Sequence, residues 1–188
     1  MKRPTGWPAN PQAMAAVSKR DGNTGHDALT HESDGDTWLT PRWILGELGP
    51  FDLDPCAAEM NPVWVCGPRG RYFTQDDDGL AKAWHGRVFM NPPFSQTAPW
   101  IRKHAEHGNG ITLVPASVES VVWREVVWPR AKGILLLHGR TRFCRQDGST
   151  TVGRPLRSIA LIAWSEVDLE MLRGSAMAGV FLDDWNQR

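Results

Sequence analysis

At 188 residues the chain has the length of one domain with a real core, and its 21 basic residues balance its 21 acidic ones. Net charge therefore supplies no general pull toward nucleic acid, and any basic surface has to be local. The three cysteines (Cys56, Cys66, Cys144) are too widely spaced for a disulfide framework or a zinc site, so a reduced, cytoplasmic protein without a metal is expected. No apolar run approaches the roughly 20 residues that span a bilayer. The N-terminus has no apolar signal-peptide run, so no membrane partner is expected.

Residues 1–36 are rich in Gly, Pro, Asn, Ser, Asp and His and read as a flexible N-terminal arm, leaving 37–188 as the folded domain. "TPRWILGELG" predicts a helix with Thr40 as N-cap, Pro41 at the first helical position and a glycine near the C-cap. "FDLDP" is a short strand stopped by proline, and "NPVWVCG" is a candidate second strand. "DDDGLAKAWHG" reads as a turn with a helical turn or two. Four apolar runs follow: "RVFMN", "GITLVP", "GILLLH" and "SIALIAW". They are nearly continuous rather than alternating, the pattern of strands buried on both faces. Helices are predicted at 97–107 and 117–129, between these runs. An α/β fold follows, a mostly parallel sheet with helices on both faces. Only loops are expected from "GILLLH" to "SIALIAW" and on to "GVFLDDW", which makes that end of the sheet antiparallel.

In open α/β sheets, ligands bind beyond the carboxyl ends of the strands. Two runs carry unusual chemistry there. "FDLDPCAA" offers carboxylates at Asp52 and Asp54, then small residues that admit a ligand to the backbone. "VFMNPPF" ends a strand in a stiff turn, because Pro92 and Pro93 cannot donate to the ladder and each fixes φ. One reading of that turn is a plain strand terminator with a packing phenylalanine. The other is a site for an exocyclic amino group, whose lone pair is delocalised into its ring. The Asn91 side chain and the Pro92 carbonyl could accept its two protons, and Phe94 could support the flat base.

At these residues the chain resembles a known family. "NPPF" after an apolar strand is similar to the catalytic motif of S-adenosylmethionine-dependent amino methyltransferases. "DPCAA" is similar to their cofactor-binding strand end, and "WLTPRWILGELG" to the segment that precedes it. The order of these motifs most resembles phage and prophage DNA N-6-adenine methyltransferases, from about Trp38 to Trp185. The resemblance implies a Rossmann-like methyltransferase fold, S-adenosylmethionine as cofactor, DNA as partner, and a bacterial or phage-infected host cytoplasm. It implies a catalytic turn of Asn91, Pro92, Pro93 and Phe94. It implies cofactor contacts from Thr40, Pro41, Asp54, Pro55, Cys56, Ala57, Asp78, Leu80 and Asn91. RNA and protein-glutamine methyltransferases carry a similar turn ending in tyrosine, so those substrates stay open, as does an inactive nucleic-acid-binding protein. The chain departs from the family pattern after the first strand, where "CAAEMN" replaces a glycine-rich turn.

Other polar groups have plainer readings. Asp76 and Asp77 read as solvated, and Asp78 as either a solvated turn residue or a cofactor contact. His104 and His107 have helical spacing but no third ligand, which reads as a surface helix. Residues 138–157 carry Arg140, Arg142, Arg145, Arg154 and Arg157 against one aspartate. A loop of that charge beside the catalytic face could neutralise phosphates or read guanine edges. The alternative is a solvated loop.

Overall fold

A computed structural model describes residues 39–58, 66, 70–139, 141–144 and 157–185. The expected N-terminal arm, the run "PQAMAAVSKR" and most of "NPVWVCG" lie outside these residues. Among them, seven strands form one sheet: β1 (Leu53–Asp54), β2 (Arg71–Tyr72), β3 (Val88–Met90), β4 (Gly110–Pro115), β5 (Gly133–Leu137), β6 (Ile159–Ala163) and β7 (Gly179–Leu182). The order across the sheet is β2-β1-β3-β4-β6-β5-β7. The pairings from β2 to β4 are parallel and those from β4 to β7 antiparallel. The antiparallel end therefore makes up half the sheet.

Among the described residues, four helices flank it: α1 (Arg42–Leu48), α2 (Thr97–His107), α3 (121–130) and α4 (Glu166–Gly174). The continuous apolar runs reflect burial of both sheet faces. Phe89, Ile111, Leu113, Leu135 and Leu161 meet Ile44 and Leu48 of α1 and Leu172 of α4. Val88, Met90, Val114, Ile134 and Ile162 meet Ile101 of α2 and Trp123 and Val126 of α3. The result is a three-layer α/β/α fold of the Rossmann-like class.

Several elements differ from expectation. The strand beside β1 is Arg71–Tyr72, in a stretch with no long apolar run. A helix, α4, stands where only a loop is expected between β6 and β7. Ser165 caps it by accepting from the Asp168 backbone N–H at 3.2 Å. Within α3, Trp123–Val127 is wound as a π-helix, and the Trp128 N–H reaches back to the Trp123 carbonyl. Pro129 follows and has no N–H to continue an α ladder, which accounts for a local change of winding.

α1 begins one residue later than predicted. Its N-cap is Pro41, with no side-chain cap bond, and Gly49 ends it at φ 72°. The Thr40 hydroxyl serves elsewhere. His104 lies on α2 but is fully buried, not at the surface. Its Nδ1 pairs with Thr112 Oγ1 at 2.7 Å, and that oxygen also accepts from Trp164 Nε1 at 2.8 Å. Burial pushes the His104 imidazole down to about 3, so it is a neutral core residue.

The edge of the sheet at the amino ends of β3 and β4 is held by one buried ion pair. Arg87 Nε donates to Asp168 Oδ1 at 2.7 Å, and Asp168 Oδ2 accepts from the Gly110 N–H at 2.6 Å. Arg87 Nη1 donates to the carbonyls of Leu48 and Pro50, and its guanidinium lies over the Phe51 ring. This cluster ties α1, β3, β4 and α4 together at the edge opposite the candidate site.

Candidate active site

Parallel pairing of β1 with β3 brings their carboxyl ends to one edge of the sheet. Asp54 ends β1, and Asn91 follows β3. β5 runs in the same direction as β4, because both are antiparallel to β6. The segment leaving β5 and the residues entering β6 therefore emerge at that same edge. So does Thr40, which precedes α1.

Asp54 is 6% exposed, and its Oδ1 accepts the Cys56 backbone N–H at 3.1 Å. The loop after it is fastened to the end of β2: Phe73 N–H donates to the Asp54 carbonyl, and Ala57 N–H to the Phe73 carbonyl. Among the described residues no basic side chain pairs with Asp54. Burial pushes its carboxyl up to about 7. The Cys56 thiol is hydrogen-bonded to that carboxyl and also receives the Asn91 backbone N–H. Burial, then the neighbouring Asp54 charge, holds the thiol well above its ordinary range. Cys56 thus joins the ends of β1 and β3, a link with no local signature in the sequence.

The Asn91 side chain is fixed from another direction, its Nδ2 donating to Thr40 Oγ1 at 3.1 Å. Pro92 is buried behind it, and the Pro93 carbonyl accepts the Gln96 N–H, closing a short 3₁₀ turn at Phe94–Gln96. Phe94 packs edge-on against Phe143, with ring centroids 5.5 Å apart. Phe143 belongs to the arginine-rich segment. Next to it, Cys144 and Leu39 exchange backbone hydrogen bonds of 2.9 and 3.0 Å.

Asp78 sits in the left-handed region at φ 51° and is exposed. The next residue explains how this turn reaches the site. Gly79 is buried so tightly that a β-carbon would stand 1.9 Å from the Pro55 carbonyl oxygen, a distance only glycine permits. Trp84 Nε1 donates to the Gly79 carbonyl, and Lys103 Nζ to the carbonyls of Leu80 and Lys82. The Asp78–Leu80 turn is therefore seated on the Asp54–Ala57 loop. Asp77 is not merely solvated: its carboxylate accepts from the Thr74 N–H and hydroxyl and caps the start of the 3₁₀ turn Gln75–Asp77 in which it lies.

Thr40, Pro41, Asp54, Pro55, Cys56, Ala57, Asp78, Leu80 and Asn91–Phe94 thus lie on segments that meet at one sheet edge. Arg142 and Arg157 are exposed on the segments that leave β5 and enter β6 there. Arg140, Arg145 and Arg154 lie outside the described residues. Phe143 is a contact of the Asn91–Phe94 turn that sequence reasoning did not single out. Among the described residues, no cluster of three or more His, Cys, Asp or Glu could hold a metal ion. Among them, no helix is long and apolar enough to cross a membrane.

Comparison with known proteins bears on this geometry. A protein of Escherichia phage T1 named DNA N-6-adenine-methyltransferase is 30% identical over 114 residues, which cover 51% of this chain and 45% of that protein. A Haemophilus phage HP1 protein of the same name is 28% identical over 118 residues, covering 57% of this chain and 65% of that protein. The chain thus aligns with less than two thirds of either relative's length. No solved structure matches it. The sequence model of the DNA N-6-adenine-methyltransferase (Dam) family matches residues 27–173, which include every strand from β1 to β6 and the whole of the edge described above. The chain belongs to the DNA N-6-adenine-methyltransferase (Dam) family.

Proposed function

We propose that this protein transfers a methyl group from S-adenosylmethionine to the N6 amino group of adenine in DNA. The observation that carries the reading is the pairing of two ends. A buried carboxylate with no basic partner among the described residues closes β1, and an asparagine anchored through its amide nitrogen follows β3. An unpaired buried carboxyl fits a cationic ligand group, because the ligand's charge offsets the desolvation that now holds the proton on it. Asp54 would take the cationic methionine end of the cofactor, with Pro55, Cys56 and Ala57 lining the loop. Asp78 and Leu80 would border its adenine, and Pro41 with the Thr40 backbone its carboxylate. The bound cofactor supplies an electrophilic methyl on a sulfonium, so the protein's task is alignment.

The target adenine must leave its stack to reach this edge. Asn91 Oδ1 and the Pro92 carbonyl would accept the two amino protons and draw the nitrogen lone pair out of the ring. Phe94, braced edge-on by Phe143, would support the base. Arg142 and Arg157 would meet phosphates or guanine edges, together with Arg140, Arg145 and Arg154 on the same segment. Incubation with labelled cofactor and separate DNA, RNA and protein substrates tests the reading. Label in DNA, recovered as N6-methyladenine, is expected. Label confined to RNA or to glutamine overturns the substrate, and label nowhere overturns the enzyme.

A further inference from the structure

Asparagine is a two-faced ligand. Its amide oxygen accepts and its amide nitrogen donates, and the two ends have nearly the same size and shape. Packing alone hardly distinguishes the two orientations, so hydrogen-bond partners must. For an exocyclic amino group the distinction is decisive: an oxygen turned to it accepts its protons, whereas an NH₂ turned to it sets donor against donor.

In this chain Thr40 is one such partner. Its hydroxyl receives Asn91 Nδ2 at 3.1 Å, and the residue is 2% exposed. The hydroxyl does not cap α1, whose N-cap is Pro41 with no side-chain bond. Its place is set from both sides. Leu39 is held by its two backbone bonds to Cys144, and Pro41 accepts the first helical N–H groups, from Ile44 and Leu45. The Asn91 backbone is held in turn by the Cys56 thiol. Both ends of the Thr40–Asn91 contact are thus anchored before any ligand arrives. A hydroxyl can also donate, but here it faces the amide nitrogen and so acts as acceptor.

We propose that Thr40 is a positioning residue whose hydroxyl fixes the Asn91 amide so that its oxygen, not its nitrogen, is presented to the target amino group. The inference rests on the methyltransferase reading above for its catalytic consequence, but not for the contact itself. Thr40→Val keeps the shape and removes the acceptor, while Thr40→Ser keeps the hydroxyl.

The test has two readouts on the full chain. The first is the side-chain NH₂ resonance pair of Asn91 in the protein alone, assigned with Asn91→Ala. Thr40→Val should move the signal of the proton that faces Thr40 upfield and speed its exchange with water, and Thr40→Ser should leave the pair near its wild-type position. The second is steady-state methylation of adenine-containing duplex DNA. Thr40→Val should lower kcat by about tenfold, the order expected for one lost hydrogen bond at a reacting group, with KM for DNA and cofactor affinity within about twofold. Thr40→Ser should recover most of kcat. Asn91 signals unchanged in Thr40→Val overturn the proposal whether or not the enzyme is active. A full kcat in Thr40→Val, or a loss confined to cofactor affinity, also overturns it. Wild-type protein that methylates no DNA sinks the methyltransferase reading, and the Asn91 resonances alone then decide the contact.

Discussion

Asp168 has no exposed side-chain surface and holds Arg87 through a 2.7 Å bond, at the edge of the sheet away from Asn91. The same carboxylate accepts from the Gly110 N–H and from the Ser165 hydroxyl. Four elements therefore depend on one charged group. Removing it strands a guanidinium whose Nη2 is already buried without a partner among the described residues. Asp168→Ala should destabilise the fold by about 3 kcal/mol, the low end of the range for breaking a buried pair, because 15% of the Arg87 side chain still meets solvent. Urea titration should show the lower midpoint. Variant that remains folded should keep its affinity for the cofactor, and a selective loss of that affinity would place this cluster in the site after all.

The Asn91–Phe94 turn makes a different prediction. Asn91→Ala removes a proposed acceptor at the target nitrogen while leaving Asp54 and its loop intact. Methyl transfer should fall by roughly 100-fold or more, by analogy with loss of one preorganised hydrogen-bonding group, while cofactor affinity stays near wild type. Near-normal turnover would remove Asn91 from the chemistry.

Asp54 predicts a pH dependence. Its carboxyl is pushed from 3.8 up to about 7 by burial. The folded protein keeps a proton that the unfolded chain gives up near 3.8, so this group's contribution to stability is greatest below that pH. The contribution is lost as pH rises through about 7. Asp54→Asn should therefore gain stability relative to wild type at pH 8 and little at pH 4. Binding of a cationic cofactor group needs the ionised form, so affinity should rise about tenfold per pH unit below 7 and level off above it. Calorimetry across pH 5–9 would show proton release on binding. Equal pH profiles for wild type and Asp54→Asn would sink the assignment.

How much of this was legible in the sequence differs by scale. The four apolar runs announce strands because burial on both faces removes the need for alternation. Asp54 and Asn91 stand out because each stands where a short strand meets the proline that stops it. β2 does not, since Arg71 and Tyr72 are exposed and carry no hydrophobic pattern. Nor does α4, a short helix whose clearest sign is the Ser165 cap. The contacts that organise the site are hidden for another reason. Thr40 to Asn91, Phe94 to Phe143 and Leu39 to Cys144 each join segments that only the completed sheet order brings together.

The arginine-rich segment yields the last prediction. Replacing Arg142 or Arg157 by alanine should weaken DNA binding and leave cofactor affinity alone. A phosphate contact should lower the salt slope by about one unit for every sequence, whereas a guanine contact should relax preference at one position by about 1–3 kcal/mol. Arg140, Arg145 and Arg154 extend the same test. The competing source is Lys2, Arg3, Lys19 and Arg20 near the N-terminus. If deleting residues 1–36 abolishes DNA binding while the arginine replacements do nothing, DNA lies against the other segment.

The backbone pairing of Leu39 with Cys144 also bears on when the site can exist. β1, β3 and β4 follow one another closely in the chain and can pair early, whereas Leu39 and Cys144 lie on opposite sides of β1 to β5. Contacts of such long sequence separation form late, because the loop they close must first lose its freedom. On the ribosome, Thr40 leaves the exit tunnel well before the residues that pin its neighbour have been synthesised. A nascent chain ending within β5 lacks both Cys144 and β6, the strand that joins β4 to β5, so Thr40 gains its anchor only as the centre of the sheet is being completed.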